Sequence, residues 1–253
     1  MLKRNNSVDS YIHKFLSESL TRSKSFHSLP PDNILKLNIN YNNPRLINGY
    51  VPVVRETNIS DGISATTQLY QSIRTDGWIN HINNVTEREK EIHQKKEKTR
   101  EDLWDMRCCI TYKLLDNLKK LLTYLKKIED TQIHACFVCY INTNPIGVML
   151  MRKYYSLYSR VKSYYPEVNF LITHPGIQNC GHLLMEKAVN MSYEIGHHGK
   201  LKITLATDEL SSKVYEKMGF IKSDNMRMTL TPNENKAWLF SPNHGGYRFK
   251  GNG

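Results

Sequence analysis

"FLITHPGIQNCGHLLMEKAV", Phe170 to Val189, changes its period part-way along. Phe-Leu-Ile-Thr is a short apolar run of the kind a buried strand makes. Pro175 ends it, because proline has no N–H to give to a ladder. From Cys180 the apolar residues return at a spacing near 3.6, which predicts a helix over 180–195. Between strand and helix lies a short polar turn with Gly176 and Gly181 beside it. The first N–H groups of a helix have no partner within it, and the helix dipole favours negative charge there. The gap is therefore a ready anion site, suited to a phosphate or a pyrophosphate.

A second segment, "LATDELSSKVYEKMGF" (Leu205–Phe220), has the same design. A strand from Lys200 ends near Asp208, and a short helix with Ser211, Ser212 and Tyr215 closes on Met-Gly-Phe. Tyr215 is one helical turn beyond Ser211, so both lie on one face. Its hydroxyl can look into a cleft where neighbouring parallel strands part, the place where open sheets bind ligands.

Upstream, Val51–Glu56 reads as a strand and Ser60–Arg74 as a capped helix. In Glu87–Asp102, 12 of 16 residues are charged, six of each sign, which reads as a solvated helix with i,i+4 pairs. It runs into Leu114, Leu118, Leu121, Leu125 and Ile128, whose 4-3-4-3 spacing predicts a core-facing stripe. Two β-rich runs flank Asn142-Thr-Asn-Pro145 and form a hairpin. Met226–Leu230 and Ala237–Phe240 are further strand candidates. A hairpin followed by strand–helix–strand predicts an α/β (α+β) fold. Its sheet is mixed and mostly antiparallel, with Val168–Thr173 and Lys202–Thr207 parallel near the centre.

The 253 residues divide into a Ser/Asn-rich head, 1–48, and one domain over 49–253 with a charged helical insertion at about 86–128. The head is poor in residues that bury surface. It is either a leader without a role or an uncleaved export signal of an effector acting in a host cell. With 35 basic and 24 acidic residues the net charge is +11, spread along the chain, which favours a polyanionic ligand without naming one. The five cysteines, Cys108, Cys109, Cys136, Cys139 and Cys180, form no disulfide framework and suit a reducing, cytoplasmic setting. Cys136 and Cys139 have metal-ligand spacing, but in a strand they point to opposite faces; they read as buried thiols, with no metal expected. No run approaches the ~18 apolar residues of a membrane span.

"HPGIQNCGHLLMEKAV" and "ATDELSSKVYEKMGFI" resemble two motifs of the GNAT family of N-acetyltransferases: its acetyl-CoA pyrophosphate loop, and its Tyr-x-x-x-Gly-Phe ending. "NTNPIGVMLM" is similar to the family's central hairpin. The resemblance covers about Val51 to Phe240 and is strongest over 168–221. It implies a splayed parallel strand pair, helices on both faces, and transfer of an acetyl group from acetyl-CoA by direct attack of an amine in a ternary complex. The backbone of Leu171, Ile172 and Thr173 would take the pantetheine arm like an added strand. N–H groups of Ile177, Gln178, Asn179, Cys180, Gly181 and His182 would cradle the pyrophosphate, and Asp208, Ser211 and Ser212 would line the other side. Tyr215 would protonate the leaving thiolate; Glu167 or His174 would take the amine's proton. The loop departs from the family pattern, with Gly176 where Arg or Gln is expected and Asn179 where the first Gly is expected. Asp208 stands in place of Asn and Ser211 in place of Ala.

The acceptor is open: a protein lysine or N-terminus, a small amine, or an aminoacyl-tRNA. Two other readings compete. The altered loop suits a GNAT-shaped binding module without catalysis. The basic and aromatic stretch Met151–Tyr165 suits an RNA-binding protein.

Overall fold

The computed structural model describes residues 52–75, 78–79, 82–128, 133–153, 165–177, 180–204, 209–224, 226–242 and 245–250. The head, 1–48, and most of Met151–Tyr165 lie outside the described residues. In chain order the elements are β1 (Val53–Thr57), α1 (Ile59–Thr75), α2 (Val85–Gln94), α3 (Arg100–Lys127), β2 (His134–Ile141), β3 (Asn144–Arg152) and β4 (Glu167–Thr173). They continue with α4 (Cys180–Ser192), β5 (Leu201–Thr204), α5 (Glu209–Lys217), β6 (Ile221–Lys222), β7 (Arg227–Leu230), β8 (Trp238–Ser241) and β9 (Gly246–Phe249). Seven strands form one sheet in the order β1-β2-β3-β4-β5-β7-β6. Among the described residues only β4 and β5 run parallel; every other neighbouring pair of the sheet is antiparallel. The mixed sheet with a central parallel pair is thus the one the element order predicts.

The sheet divides the interior into two cores. Successive strand residues point to opposite faces, so Cys136 and Val138 pack with α1, α2 and α3, whereas Ala135, Phe137 and Cys139 pack with α4 and α5. The Cys136/Cys139 spacing cannot bring both thiols to one ion, because the sheet stands between them. The β2–β3 hairpin turns at Asn142, whose φ of 56° is one that asparagine tolerates.

α3 carries the first core. Thr99 caps it in a reciprocal arrangement with Asp102, and Leu114, Leu118, Leu121 and Leu125 are buried. The charged window is not one solvated helix. Residues 95–99 break it into α2 and the start of α3, and the charges pair between the two helices. Arg88 Nη2 lies 2.8 Å from Asp105 and 3.2 Å from Asp102, Lys95 Nζ lies 2.7 Å from Asp102, and Lys113 pairs with Glu89. Sequence spacing reveals pairs along a helix; it cannot reveal pairs made when the chain folds back. The region expected as an insertion, about 86–128, thus forms α2 and most of α3, and α3 packs against β4.

On the other face, α4 is joined to the small β8–β9 sheet. The Asn190 side chain accepts from Tyr247 N at 2.7 Å and donates to Tyr247 O at 3.1 Å, and Phe249 N donates to Glu186 at 2.8 Å. This satisfies backbone groups of the short strand β9 that would otherwise need another strand.

Candidate active site

The site is built by the way β4 and β5 separate. Among the described residues they pair at Glu167↔Lys202 and Val168↔Ile203 and no further. β4 runs on for five residues, Asn169 to Thr173, with no strand against that edge among the described residues. A register shift against β3 between Leu150 and Met151 accompanies the change: Val168 faces Met151 and Phe170 faces Leu150, so Asn169 is the extra residue of a β-bulge. The bulge bends β4 at the point where β5 leaves it.

At this vertex a polar row crosses the sheet. His134, Arg152, Glu167 and Lys202 are successive partners on β2, β3, β4 and β5, and all four are buried. Thr204 Oγ1 donates to Glu167 Oε1, and Lys202 Nζ lies 3.9 Å from Glu167 Oε2. Burial pushes the Lys202 ammonium below its usual range, Glu167 works against that shift, and Arg227 and Arg152 add to it. One step along the strand, both polar atoms of the Asn169 side chain are buried with no hydrogen-bond partner among the described residues. Sequence reasoning missed Asn169. Its signal was a lone amide between Val168 and Phe170 in an otherwise apolar run.

The other end of β4 leads to α4. Leu171, Thr173 and Gly181 come together there: a Cβ on Gly181 would sit 3.8 Å from Thr173 Cγ2, 4.0 Å from Leu171 Cδ2 and 3.8 Å from Met218 Cε. Gly181 thus faces the cleft between β4 and α5, with no protein atom pressing on it. Ile172 points the opposite way, into the core beneath α3. Cys180 is fully buried, its Sγ 3.6 Å from Ile146 O. Ile177 N donates to His174 O at 3.0 Å. His182, on the first turn of α4, lies 5.9 Å from the Phe249 ring. Gln178, Asn179 and Asp208 lie outside the described residues; Ser211 is on α5, and Ser212 is buried there.

Gly176 has a different explanation from the one its place in the loop suggested. A Cβ on it would lie 2.5 and 2.7 Å from atoms of the Trp78 ring, so glycine is needed for an indole to pack, whatever binds nearby. His174 belongs to the same contact. Its ring meets Trp78 edge-on at 5.3 Å, and its Nδ1 accepts from Gly176 N at 3.1 Å. Burial first, and the Arg107 guanidinium second, push its pKa down to about 4. Arg107 itself is buried 5.8 Å from the Trp104 ring, and burial lowers its pKa to about 10.

The Met-Gly-Phe ending of α5 also has a local cause. Gly219, at φ 89°, lets the helix turn back on itself, with Phe220 N donating to Tyr215 O and Gly219 N to Glu216 O, both at 2.9 Å. This is a Schellman stop, which characteristically brings together the two apolar residues that Tyr215 and Phe220 supply. Their rings meet edge-on at 5.6 Å, and Tyr215 is buried in the α4–α5 core.

The two base candidates are therefore far apart. Glu167 and His174 stand at opposite ends of β4, about 20 Å from one another at strand spacing. Glu167 is at the vertex, and His174 is in the turn beyond the strand.

The sheet is arranged as the GNAT resemblance implied. No family model matches the chain, and no curated protein matches it. Among solved structures it is similar to a PaiA N-acetyltransferase from Thermoplasma acidophilum in complex with coenzyme A (13% identity, 71% of this chain and 98% of that one, TM-score 0.39). It is also similar to a protein of the GNAT family from Desulfovibrio desulfuricans (10%, 71% and 98%, TM-score 0.45). A third is an N-acetyltransferase from Staphylococcus aureus (14%, 71% and 97%, TM-score 0.38). At such identities and scores nothing in the site is carried across. The strand order, the single parallel pair and its divergence stand on their own.

Proposed function

We propose that the protein is an N-acetyltransferase that uses acetyl-CoA as acyl donor to an amine. The observation that carries this is that β4 and β5 pair over only two residue pairs among the described residues, so that the edge of β4 from a buried carboxylate to a helix N-terminus has no described strand against it. The residues present suit the donor. The edge Asn169–Thr173 has backbone groups for an extended arm, Gly181 opens on the cleft beside Thr173, and the buried Asn169 amide calls for a polar partner. When bound, acetyl-CoA supplies an activated thioester for an amine to attack.

The protein's own groups then have separate tasks. Backbone N–H groups at the start of α4, Cys180 to His182, hold the pyrophosphate, with Ile177, Gln178 and Asn179 leading into them. Leu171 and Thr173 flank the arm. Glu167 takes the proton of the incoming ammonium, directly or through water, while Thr204 and Lys202 hold its carboxylate in place. Tyr215 is the candidate proton donor to the departing sulfur. His174, with its Nδ1 engaged by Gly176, shapes the turn. The acceptor is a protein amine, a small amine or an aminoacyl-tRNA.

The test is thermal unfolding of the full chain with and without acetyl-CoA, since a ligand that binds only the native state raises its stability. A rise in Tm that Gly181→Trp abolishes supports the reading. No rise at millimolar acetyl-CoA sinks it. The reading that would then stand is a binding module of this shape without catalysis, which the packing of Trp78 onto Gly176 favours, because it accounts for the loop without a phosphate.

A further inference from the structure

We propose that Asn169 holds the acyl group, its side-chain Nδ2 donating to the thioester carbonyl oxygen of acetyl-CoA at the vertex where β5 leaves β4. The inference rests on the acetyl-CoA reading above and names the residue that distinguishes an acyl-loaded donor from a spent one.

Three observations converge on it. Asn169 is the extra residue of the β4 bulge and the first beyond the last ladder pair, Val168↔Ile203. It shares that strand end with Glu167, whose partners are Thr204 and Lys202. Its own Nδ2 and Oδ1 are both buried and have no partner among the described residues. Buried polar groups are nearly always hydrogen-bonded, and an unpaired amide lowers the stability of the protein that carries it. An aliphatic side chain would serve the free protein better. An arm laid on the free edge from the N-terminus of α4 runs from Thr173 towards Asn169 and ends there. The last polar group of an acetylated arm is the thioester carbonyl, which can only accept, and Nδ2 can only donate. CoA without its acetyl group has no such acceptor at its tip.

The experiment is calorimetric titration of the full-length protein with acetyl-CoA and, separately, with CoA. The wild type is expected to prefer acetyl-CoA. Asn169→Leu is expected to bind CoA as the wild type does and to reduce the preference for acetyl-CoA roughly five- to tenfold, the worth of one net hydrogen bond. Asn169→Ala removes the donor without adding bulk and is expected to lose the same preference; it decides the question alone if the leucine variant does not fold. Without ligand, Asn169→Leu is expected to melt no lower than the wild type. A wild type that binds both nucleotides equally, variants that keep its preference, or a folded leucine variant that melts well below the wild type would each overturn the assignment of Asn169. A wild type that binds neither nucleotide overturns the acetyl-CoA reading itself.

Discussion

The two ends of β4 bury polar residues for different reasons. At the upstream end, Glu167 is held by Thr204 and Lys202, and the Asn169 side chain has no hydrogen-bond partner among the described residues. At the downstream end, His174 is wedged against Trp78 and tied to Gly176, and its imidazole stays neutral to about pH 4. One end leaves the Asn169 amide unpaired among the described residues; the other uses its imidazole to close a turn. Burial alone therefore does not mark the chemistry. An unpaired buried group does not mark it alone either, since Trp78 Nε1 at the downstream end is also without a partner among the described residues; what differs is that Asn169 lies where β4 leaves its last ladder pair with β5.

The contrast can be broken most decisively by exchanging the two base candidates for amides. Glu167→Gln is expected to lower kcat by about 10²- to 10⁴-fold on whichever amine screening returns, the range of a positioned general base. It should leave the stabilisation by acetyl-CoA in place. His174→Gln should leave turnover within a few-fold. The reverse ranking in steady-state assays would move the chemistry to the other end of the strand.

The next effect is on stability against pH. The folded pKa of His174 is depressed from 6.5 to about 4, so between those values the unfolded chain binds a proton that the folded one refuses. Stability from this group is complete above about pH 6.5 and is lost as pH falls towards 4, by on the order of 3 kcal/mol. Urea unfolding across that window should show the slope in the wild type. His174→Gln should flatten it.

Gly176→Ala is expected to cost about 1–3 kcal/mol, because its Cβ would meet the Trp78 ring. In a Trp78→Ala background the same change should cost much less, and a double-mutant cycle by thermal melts reads the coupling. A full cost in both backgrounds would mean that the glycine serves something other than the indole. The smallest effect belongs to Gly181→Ala. Its Cβ would have 3.8 Å or more of clearance, so the free protein should melt within about 0.5 kcal/mol of the wild type while the shift produced by acetyl-CoA shrinks.

Much of the fold was legible because each element carries its own signal. Phe170–Thr173 is apolar over a strand's length and Pro175 stops it. The leucines of α3 recur on one helical face, and Asn142-Thr-Asn-Pro145 has the chemistry of a turn. Short strands without pattern, Ile221–Lys222 and Gly246–Phe249, were not legible, since two to four residues hold no period to count. The break between α2 and α3 was missed because charges that pair across a turn look, in sequence, like charges that pair along a helix. In the site, the helix start at Cys180 could be anticipated. The meaning of Gly176 could not, because Trp78 lies about a hundred residues earlier.

By itself, then, the sequence determined which segments are strands and helices, that a strand stops where a helix N-terminus begins, and that a parallel pair lies at the centre. These are local properties, set by side-chain period, proline and capping. Only the tertiary structure decided that, among the described residues, the pair stops at Val168, that His174 is wedged against Trp78, and that the Asn169 amide is buried without a partner. Each of these depends on which distant residue arrives beside a group, and a hydrogen bond or a van der Waals contact exists only once both partners are in place.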